Sequence, residues 1–296
     1  MTERAEPCKD FEIIIFSRMD SKISFVILSF NSYRYLRRCF DSIIAKCGEE
    51  GLHYEIIVID NGSADESKSI IASYKERYPH KLLPIFLPEN MGTTYPRNLG
   101  LKKSQGEYIC ILDSDTELLD GSIRNVLGIL KDRSDVGLVA PRLLLDDGVI
   151  QNSVKKFPTF WHKIIKLPNA VFKINTPNVD FYSDFPFKAE TPVDSAISAC
   201  WIFRSELLSE IGYLDEKLFY SPEDMEFCMR VRKSSKSIIY YPFLEILHHT
   251  QQISHNAPFS KISLSHFMGL LYYFRKHGGW FSTRKIYNRF KQSRSN

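Results

Sequence analysis

The sequence predicts an α/β protein with a mostly parallel central sheet flanked by helices. Short apolar runs such as Ile23–Leu28 and Tyr54–Ile59 alternate with segments of helical periodicity through the first half of the chain. Each run ends in a loop that contains Asn, Asp or Ser, and such alternation is typical of a sheet covered on both faces. The 296 residues are 44% hydrophobic and 25% charged, which are ordinary values for a globular protein.

Four strands and three helices are predicted in the first half. The strand Leu82–Leu87 contains Pro84, so we expect it at a sheet edge, because proline cannot donate to the ladder. Asn31 or Ser32 is expected to cap the first helix. Pro96 lies in the first turn of a predicted helix, where a missing N–H is tolerated. In chain order the elements are strand Ile23–Leu28, helix Tyr33–Ala45, strand Tyr54–Ile59, helix Ser67–Glu76, strand Leu82–Leu87, helix Thr93–Lys103 and strand Tyr108–Leu112.

The second half has weaker periodicity. Residues 146–193 are rich in Phe, Pro and Lys, include Trp161, and are too long for a plain loop. We interpret them as an irregular, substrate-facing insertion whose aromatic side chains either stack on a sugar or, as we favour, fill a small satellite core. The remaining predicted elements are helix Ser122–Lys131, strand Val136–Pro141, helix Ser205–Ile211 capped by Gly212, a helix from Glu223 to Arg232, and strand Ser237–Tyr241.

Two carboxylates, Asp113 and Asp115, follow the buried strand Tyr108–Leu112 with only Ser114 between them. Open α/β sheets bind their ligands at the carboxyl ends of the strands. Two like charges this close are unfavourable unless a cation joins them. A hard divalent ion such as Mg²⁺ or Mn²⁺, shared with a phosphate, fits this pattern, and an ordinary Asp-rich turn is the alternative.

Loops at the ends of three separate strands carry acidic or amide side chains, at Asn31, at Asp60 and at the Asp113–Asp115 pair. The chain has no GxGxxG after its first strand and no GxxxxGK[ST], which argues against a dinucleotide oxidoreductase and a P-loop NTPase. If a nucleotide binds, we expect a metal rather than a glycine-rich loop to hold its phosphates.

A second acidic pair and two histidines lie farther along the chain. Glu223 and Asp224 begin a predicted helix, where the dipole and free amides favour carboxylates, and simple capping is the alternative. His248 and His249 end an apolar run, where a metal role is expected alongside the aspartate pair. Because adjacent strand residues point to opposite faces, at most one of these histidines should face a metal.

Net charge, cysteine pattern and hydrophobic runs indicate which partners and which cellular compartment to expect. A formal charge of +4 is mild for this length and gives no indication of a nucleic-acid partner. The six cysteines form no CxxC pair and are typical of core residues in a reducing compartment. No run reaches the ~18 apolar residues of a spanning helix, and Met1–Asp20 has no signal-peptide pattern. We therefore expect a cytoplasmic protein.

Several motifs occur in series along residues 22–254. They are Ile23–Ser32, Glu55–Ser67, Glu89–Gly100, Gly106–Thr116, Val193–Arg204, Ile211–Arg230 and Tyr241–Ser254. In this order they resemble an inverting family-2 glycosyltransferase with the GT-A fold, especially its rhamnosyltransferase-like branch. The resemblance implies a Rossmann-like nucleotide-sugar half and an acceptor half. The implied division is an N-terminal extension at 1–21, a GT-A domain at 22–254 (donor half 22–120, acceptor half 121–254), and a helical, basic C-terminal segment at 255–296.

The resemblance also implies a role for individual residues. Asp113, Ser114 and Asp115 match the DxD motif, which would bind Mg²⁺ or Mn²⁺ with His248 as third ligand and His249 as the fallback. Asp224 would be the catalytic base. The donor would contact Ser29, Phe30, Asn31, Asp60, Asn61, Asn90, Gly92, Arg97, Asp113 and Ser114. The acceptor side would include Trp201, Glu223 and Ser198, the last at a position where the family often has Gly.

The function implied is metal-dependent, inverting transfer of a sugar from a nucleotide-diphosphate donor to a glycan or lipid-linked glycan in cell-surface polysaccharide synthesis. The resemblance to the rhamnosyltransferase-like branch implies rhamnose as the sugar, and a UDP sugar is the alternative donor. A non-catalytic nucleotide-sugar-binding protein and a nucleotidyltransferase are the alternatives. The basic C-terminal segment would either contact the inner face of the membrane peripherally or form a solvated tail. Its cations are Arg284, Lys285, Arg289, Lys291 and Arg294.

Overall fold

The computed structural model of the chain describes residues 22–165, 180–250 and 261–292. The elements of the first half are β1 (Lys22–Ser29), α1 (Leu36–Glu49), β2 (His53–Asp60), α2 (Ser67–Arg77), β3 (Leu82–Phe86), α3 (Thr94–Lys103), β4 (Tyr108–Asp113), β5 (Thr116–Gly121), α4 (Ile123–Asp132) and β6 (Val136–Leu144). Those of the second half are β7 (Val154–Lys155), α5 (Phe160–Ile165), β8 (Thr191–Val193), β9 (Ser195–Ala196), β10 (Cys200–Arg204), α6 (Leu207–Ile211), α7 (Glu223–Lys233), β11 (Ser237–His248), α8 (Lys261–His277) and α9 (Arg284–Gln292).

Nine strands form the central sheet, in the order β3-β2-β1-β4-β10-β6-β11-β5, with β8 also paired to β11. Strands β3, β2, β1 and β4 are mutually parallel, as are β6 and β11, whereas β10, β5 and β8 run antiparallel to their neighbours. The mostly parallel sheet is confirmed, and β3, which contains Pro84, lies at the edge as expected. The carboxyl ends of β1, β2 and β4 therefore meet along one edge of the sheet, where α/β proteins bind ligands.

Side chains of β1 divide between two hydrophobic cores, because successive strand residues point to opposite faces. Ile23, Phe25 and Ile27 pack with α1, α2 and α4 on one face of the sheet. Val26 belongs to the other core, which is built with residues of α3, α6, α7, α8 and α9. The sheet is thus covered on both sides, as the nearly continuous apolar runs of its central strands require.

The first helix begins at Leu36 rather than at the predicted Tyr33. Neither Asn31 nor Ser32 caps it, so that prediction is wrong. The side chain of Asn31 instead accepts a hydrogen bond from the Ala64 N–H at 2.9 Å. The hydroxyl of Ser32 pairs with a hydroxyl in the loop after β4. Both side chains therefore join loops of neighbouring strands instead of starting a helix.

Two strands continue through prolines that were expected to end or follow them. Strand β6 passes Pro141, and β11 passes Pro242 before it ends at His248. The pairing of β6 with β11 shifts register between Tyr241 and Glu245. Such an irregularity leaves residues outside the regular ladder, so a missing proline N–H is tolerated there. The extra length of β11 carries His248 to the ligand-binding edge, and the unanticipated strand β5 pairs beside it.

The C-terminal helices belong to the second core. Phe290 of α9 packs against Phe157 with ring centroids 6.1 Å apart, and Ile286 is buried. The Tyr287 hydroxyl donates to the Asp194 carboxylate. Tyr287 and Phe290 of the basic C-terminal segment therefore face the protein. Met1–Ser21 and Arg294 lie outside the described residues.

Five cysteines are free and buried, which agrees with their predicted role as core residues: Cys39, Cys47, Cys110, Cys200 and Cys228. Cys8 falls outside the described part of the chain. Among the residues that the structure describes, no helix combines the length and the apolar character needed to cross a membrane.

Candidate active site

A cavity of about 530 Å³ opens at the carboxyl ends of β1 and β4. Its volume falls in the range of sites that hold small molecules and cofactors. It is lined by Leu28, Phe30, Ser32, Thr93, Arg97, Asp113, Ser114, Asp115, Leu145, Gln151, Ser198, Tyr220, Ser221, Glu223, Asp224, His248 and Thr250. The aspartate pair, the acidic pair and one histidine, which are far apart in sequence, therefore share one cavity.

Asp113, Asp115 and His248 form a cluster whose potential ligand atoms all lie within 4.8 Å of one another. The Nε2 atom of His248 is 3.7 Å from Oδ1 of Asp115. Two carboxylates at this separation repel each other, and a divalent cation would remove the repulsion. Carboxylate oxygens suit Mg²⁺ and Mn²⁺, and an imidazole nitrogen is a ligand for transition metals. The donor set thus fits a divalent cation.

Gln151, which the sequence analysis missed, fixes the orientation of the His248 ring. Its Oε1 atom lies 2.8 Å from Nδ1 of His248, and its backbone N–H donates to the Leu143 carbonyl at 2.9 Å. Because an amide oxygen only accepts, Nδ1 carries the proton and Nε2 presents its lone pair toward Asp115. Metal-binding histidines characteristically have such a partner on the second ring nitrogen.

His249 does not belong to the cluster, which agrees with the expectation that only one of the two histidines faces a metal. Its imidazole lies between the carboxylates of Glu117 and Asp146 and stacks on Tyr35 at 4.9 Å. Its backbone N–H donates to the Asp115 carbonyl at 2.8 Å. His249 therefore joins the loop that carries Asp115 to the end of β11.

Arg97 connects the two acidic groups of the cavity. Its buried guanidinium donates to Asp113 at 2.6 Å through Nη2. Through Nη1 it donates to the Ser198 hydroxyl at 2.9 Å and to Glu223 at 3.3 Å. Ser198 in turn donates to Glu223 at 3.2 Å. A glycine at position 198 would lack this hydroxyl, so the residue that departs from the family pattern takes part in the network.

Glu223 and Asp224 begin α7 as predicted, but their environments differ. Burial, and next the Asp224 carboxylate, raises the pKa of Glu223 to about 8. This upward shift of the pKa favours the protonated form of Glu223, which lessens the like-charge repulsion within the pair. Asp224 is only partly buried and accepts the Met225 N–H at 2.6 Å. Of the two carboxyl groups, Asp224 is the better placed to receive a proton from a bound molecule.

Of the predicted donor residues, Phe30, Arg97, Asp113 and Ser114 line the cavity, whereas the others do not. The Asn61 amide donates to Asn90 at 3.1 Å and to the Gly92 carbonyl at 2.8 Å, and it accepts the Met91 N–H. Gly92 has φ of 82°, and a Cβ there would lie 2.1 Å from the Phe219 carbonyl oxygen. In this conformation Asn61, Asn90 and Gly92 hold loops together, and the sequence could not separate this role from donor contact.

Two polar side chains at the paired ends of β1 and β2 are fully buried. The Oγ atom of Ser29 and the Oδ2 atom of Asp60 have no hydrogen-bond partner within the described part of the protein. Buried polar atoms normally have partners, so these two atoms fit the predicted contact with a donor. Donor contact by Ser29 and Asp60 stays a prediction. The other Asp60 oxygen accepts the Ser63 N–H at 3.0 Å.

Trp201 was predicted on the acceptor side of the site. Its side chain is 0% exposed and stacks on Phe227, with ring centroids 5.3 Å apart. It therefore lies in the core beneath the site and does not line the cavity. The satellite core favoured for the insertion is not found: most of its described aromatic residues pack into the second core of the sheet, for example Phe185 and Phe187 against Tyr240. Residues 166–179 of the insertion are outside the described residues.

The chain is similar to several known glycosyltransferases. The sequence profile of glycosyl transferase family 2 matches residues 24–212. An uncharacterized glycosyltransferase of Nostoc sp. is 30% identical over 67% of this chain and 64% of that protein. The N-acetylglucosaminyl-diphospho-decaprenol L-rhamnosyltransferase of Mycobacterium tuberculosis is 23% identical over 76% of each chain. The poly(ribitol-phosphate) beta-glucosyltransferase of Bacillus spizizenii is 26% identical over 73% of this chain and 30% of that protein. The chain thus spans from 30% to 76% of these relatives.

Solved structures with similar folds support the predicted architecture. GalNAc-T7, solved with UDP, GalNAc and Mn²⁺, has a TM-score of 0.64 at 15% identity and covers 94% of this chain and 55% of that chain. The mannosyltransferase PcManGT from Pyrobaculum calidifontis, in complex with GDP-Man and Mn²⁺, has a TM-score of 0.56 at 16% identity over 88% of this chain and 64% of that chain. At such low identity the likeness concerns the fold alone, and it confirms the expected GT-A fold.

Proposed function

The chain belongs to glycosyl transferase family 2, and from that premise we propose that it is a metal-dependent, inverting glycosyltransferase. It would transfer a sugar from a nucleotide-diphosphate donor to a glycan or lipid-linked glycan. Residues 22–120 would bind the donor, and residues 121–254 would bind the acceptor.

One observation carries this proposal. The cluster of Asp113, Asp115 and His248 shares a single cavity with Asp224, although these residues come from β4, the loop after it, β11 and α7. A cation-binding group at one wall and a carboxylate at another are the two chemical elements that displacement of a nucleoside diphosphate needs.

The residues divide the chemistry between them. A bound Mg²⁺ or Mn²⁺ would act as a Lewis acid that neutralises charge on the departing diphosphate. Asp224 would accept the proton of the acceptor hydroxyl as that hydroxyl attacks the anomeric carbon. Protonated Glu223, held by Arg97 and Ser198, would add no second negative charge beside the Asp224 carboxylate. Direct attack from the face opposite the leaving group inverts the anomeric centre and needs no covalent enzyme intermediate.

The relatives guide the choice of substrates. One acts as a rhamnosyltransferase on a diphospho-decaprenol glycan precursor, and another as a glucosyltransferase on poly(ribitol-phosphate). We therefore propose an acceptor from cell-surface polysaccharide synthesis. A dTDP-rhamnose donor agrees with the rhamnosyltransferase relative, and UDP sugars agree with the structures solved with UDP. A lipid-linked acceptor would require peripheral contact with the inner face of the membrane, through the C-terminal segment.

Two substitutions test the assignment. Asp115→Ala and Asp224→Asn should each abolish release of nucleoside diphosphate from a panel of nucleotide sugars incubated with glycan acceptors. Only Asp115→Ala should also weaken Mn²⁺-dependent nucleotide binding, because Asp224 is assigned to proton transfer. Asp120→Asn, on an exposed residue of β5, is the matched control and should retain both properties. Full turnover by Asp224→Asn would remove the base assignment.

A non-catalytic nucleotide-sugar-binding protein of the same fold is the second candidate. Calorimetry that detects donor binding, with no diphosphate released over any acceptor tried, would favour it. The shared cavity of the metal cluster and Asp224 argues for catalysis, because binding alone needs no carboxylate at the acceptor wall. Pyrophosphate among the products would instead indicate a nucleotidyltransferase.

A further inference from the structure

Three large aromatic side chains lie together on the surface where α5 meets the segment between α8 and α9. Trp161, Trp280 and Phe281, here named the aromatic ledge, are 48%, 36% and 78% exposed. The rings of Trp161 and Phe281 are 6.2 Å apart. Exposed apolar groups that touch one another mark interaction surfaces, whereas single exposed apolar residues are normal.

The ledge is held in place by the structure beneath it. The backbone N–H of Phe160 donates to the Gly279 carbonyl at 3.1 Å, and that of Trp161 donates to the Trp280 carbonyl at 3.4 Å. The ring of Phe160 packs between Trp280 at 4.8 Å and Phe274 at 5.5 Å. The aromatic groups are therefore presented from an ordered base anchored in the second core.

Two exposed cations follow the ledge closely in sequence. No Asp or Glu occurs after Glu245 in the sequence. Arg284 and Lys285 follow Phe281 within four residues, and both are exposed at the start of α9. Because Tyr287 and Phe290 face the protein, the exposed side of α9 near its start presents these cations without the aromatic residues of the helix.

We propose that the aromatic ledge docks on an anionic lipid bilayer. Trp and Phe side chains partition to the membrane interface, and neighbouring Arg and Lys residues are attracted by anionic lipid headgroups. A bilayer fits better than a protein partner because the ledge combines exposed tryptophans with the exposed cations Arg284 and Lys285. The proposal rests on the proposed function only in assuming that the bilayer also carries the acceptor.

Helix α8 connects the ledge to the candidate base. Gly269 packs so closely that a Cβ there would lie 2.3 Å from the Ser221 carbonyl oxygen, just before Glu223 and Asp224. The helix then ends at His277, next to the glycines that lead into the ledge. Eight residues of helix span about 12 Å at 1.5 Å per residue. The part of α8 between its contact with Ser221 and the start of the segment that carries the ledge is therefore about 12 Å long.

Vesicle sedimentation of the full chain tests the proposal. Wild-type protein should bind phosphatidylcholine vesicles that contain about 30% phosphatidylglycerol, bind pure phosphatidylcholine far less, and dissociate at high salt. Trp161→Ala/Phe281→Ser and Arg284→Glu/Lys285→Glu should each reduce the partition coefficient about tenfold or more. Phe243→Ser, at a 55% exposed aromatic residue of β11, is the matched control and should leave binding unchanged.

The outcomes separate this proposal from the proposed function. Asp224→Asn should bind vesicles like wild type, so vesicle binding can be measured independently of catalysis. The proposal would be overturned if wild-type protein did not sediment with anionic vesicles, or if the ledge variants bound them as well as wild type. A wild-type dimer that the ledge variants convert to a monomer, without vesicle binding, would overturn it in favour of a second copy of the chain.

Discussion

The two walls of the cavity bring carboxyl groups together in different ways. At the wall that we propose binds the donor, here called the donor wall, Asp113 and Asp115 gather with His248 in a set of ligands suited to a divalent cation. At the wall that we propose binds the acceptor, here called the acceptor wall, burial and the Asp224 carboxylate raise the pKa of Glu223 and so favour its protonated form. Like-charge repulsion would thus be relieved by a cation at the donor wall and by a proton at the acceptor wall.

Arg97 donates hydrogen bonds to Asp113 at one wall and to Glu223 at the other. Its replacement should have the largest effect on the free energy of unfolding. Arg97→Met removes the ion pair with Asp113 and the hydrogen bond to Glu223, and breaking a buried ion pair typically costs about 3 kcal/mol or more. Urea unfolding of the variant should show this loss. Arg133→Met, which removes an exposed pair with Glu190, is the control and should cost less than about 1 kcal/mol. Equal small losses in both variants would contradict a connecting role for Arg97.

Gln151 contacts the His248 ring and should therefore affect metal binding at the donor wall. Gln151→Leu removes the acceptor for Nδ1 of His248 and should weaken Mn²⁺ binding about tenfold, measured by electron paramagnetic resonance. Gln151→Glu restores an acceptor and should retain binding. Gln105→Leu removes a comparable amide from the exposed contact with Lys22 and serves as the control. Unchanged Mn²⁺ binding in Gln151→Leu would show that the His248 ring needs no partner.

Glu223 should make stability depend on pH at the acceptor wall. Burial and the nearby Asp224 raise its pKa from 4.5 to about 8, so the folded chain keeps a proton that the unfolded chain releases. This stabilisation is complete below the unfolded pKa of 4.5 and is lost as pH rises toward 8, by at most about 1.4 kcal/mol per pH unit.

The free energy of urea unfolding, measured at intervals from about pH 5 to pH 8, tests this dependence in wild type and in Glu223→Gln. The wild type should lose stability relative to the variant as pH rises, because the amide of the variant carries no titratable proton. Parallel profiles would contradict a protonated Glu223 and the contrast between the two walls.

Ser198 should have the smallest effect. Ser198→Gly removes the hydroxyl between Arg97 and Glu223 and should cost about 1 kcal/mol in stability, with a higher KM for the acceptor. Ser195→Gly removes a similar buried hydroxyl, which donates to the Lys155 carbonyl outside the cavity, and should change stability without changing KM. Equal KM values in the two variants would show that Ser198 only supports the fold.

The sequence predicted the parts of the fold that depend on local patterns. Apolar runs identified the central strands, and Pro84 identified the edge strand β3. The rule that neighbouring strand residues face opposite sides correctly indicated that only one of His248 and His249 would join the aspartates. These features follow from periodicity or from a single residue, which a sequence displays directly.

Features that depend on tertiary contacts escaped the sequence analysis. Gln151 lies in a stretch of weak periodicity, so nothing local marked it as the partner of His248. Trp201 lies in an apolar run, and its burial against Phe227 depends on how α7 packs. The inward direction of Tyr287 depends likewise on Asp194, which is 93 residues away in the chain.

The central claim is that Asp115 and His248 form one divalent-cation site beside Asp224. Mn²⁺ titration followed by electron paramagnetic resonance, with a nucleoside diphosphate present, tests it most directly. The account predicts one bound Mn²⁺ in the wild type and in Asp224→Asn, and at least tenfold weaker binding, about 1.4 kcal/mol, in both Asp115→Ala and His248→Ala. Wild-type affinity in either of these two variants would contradict it.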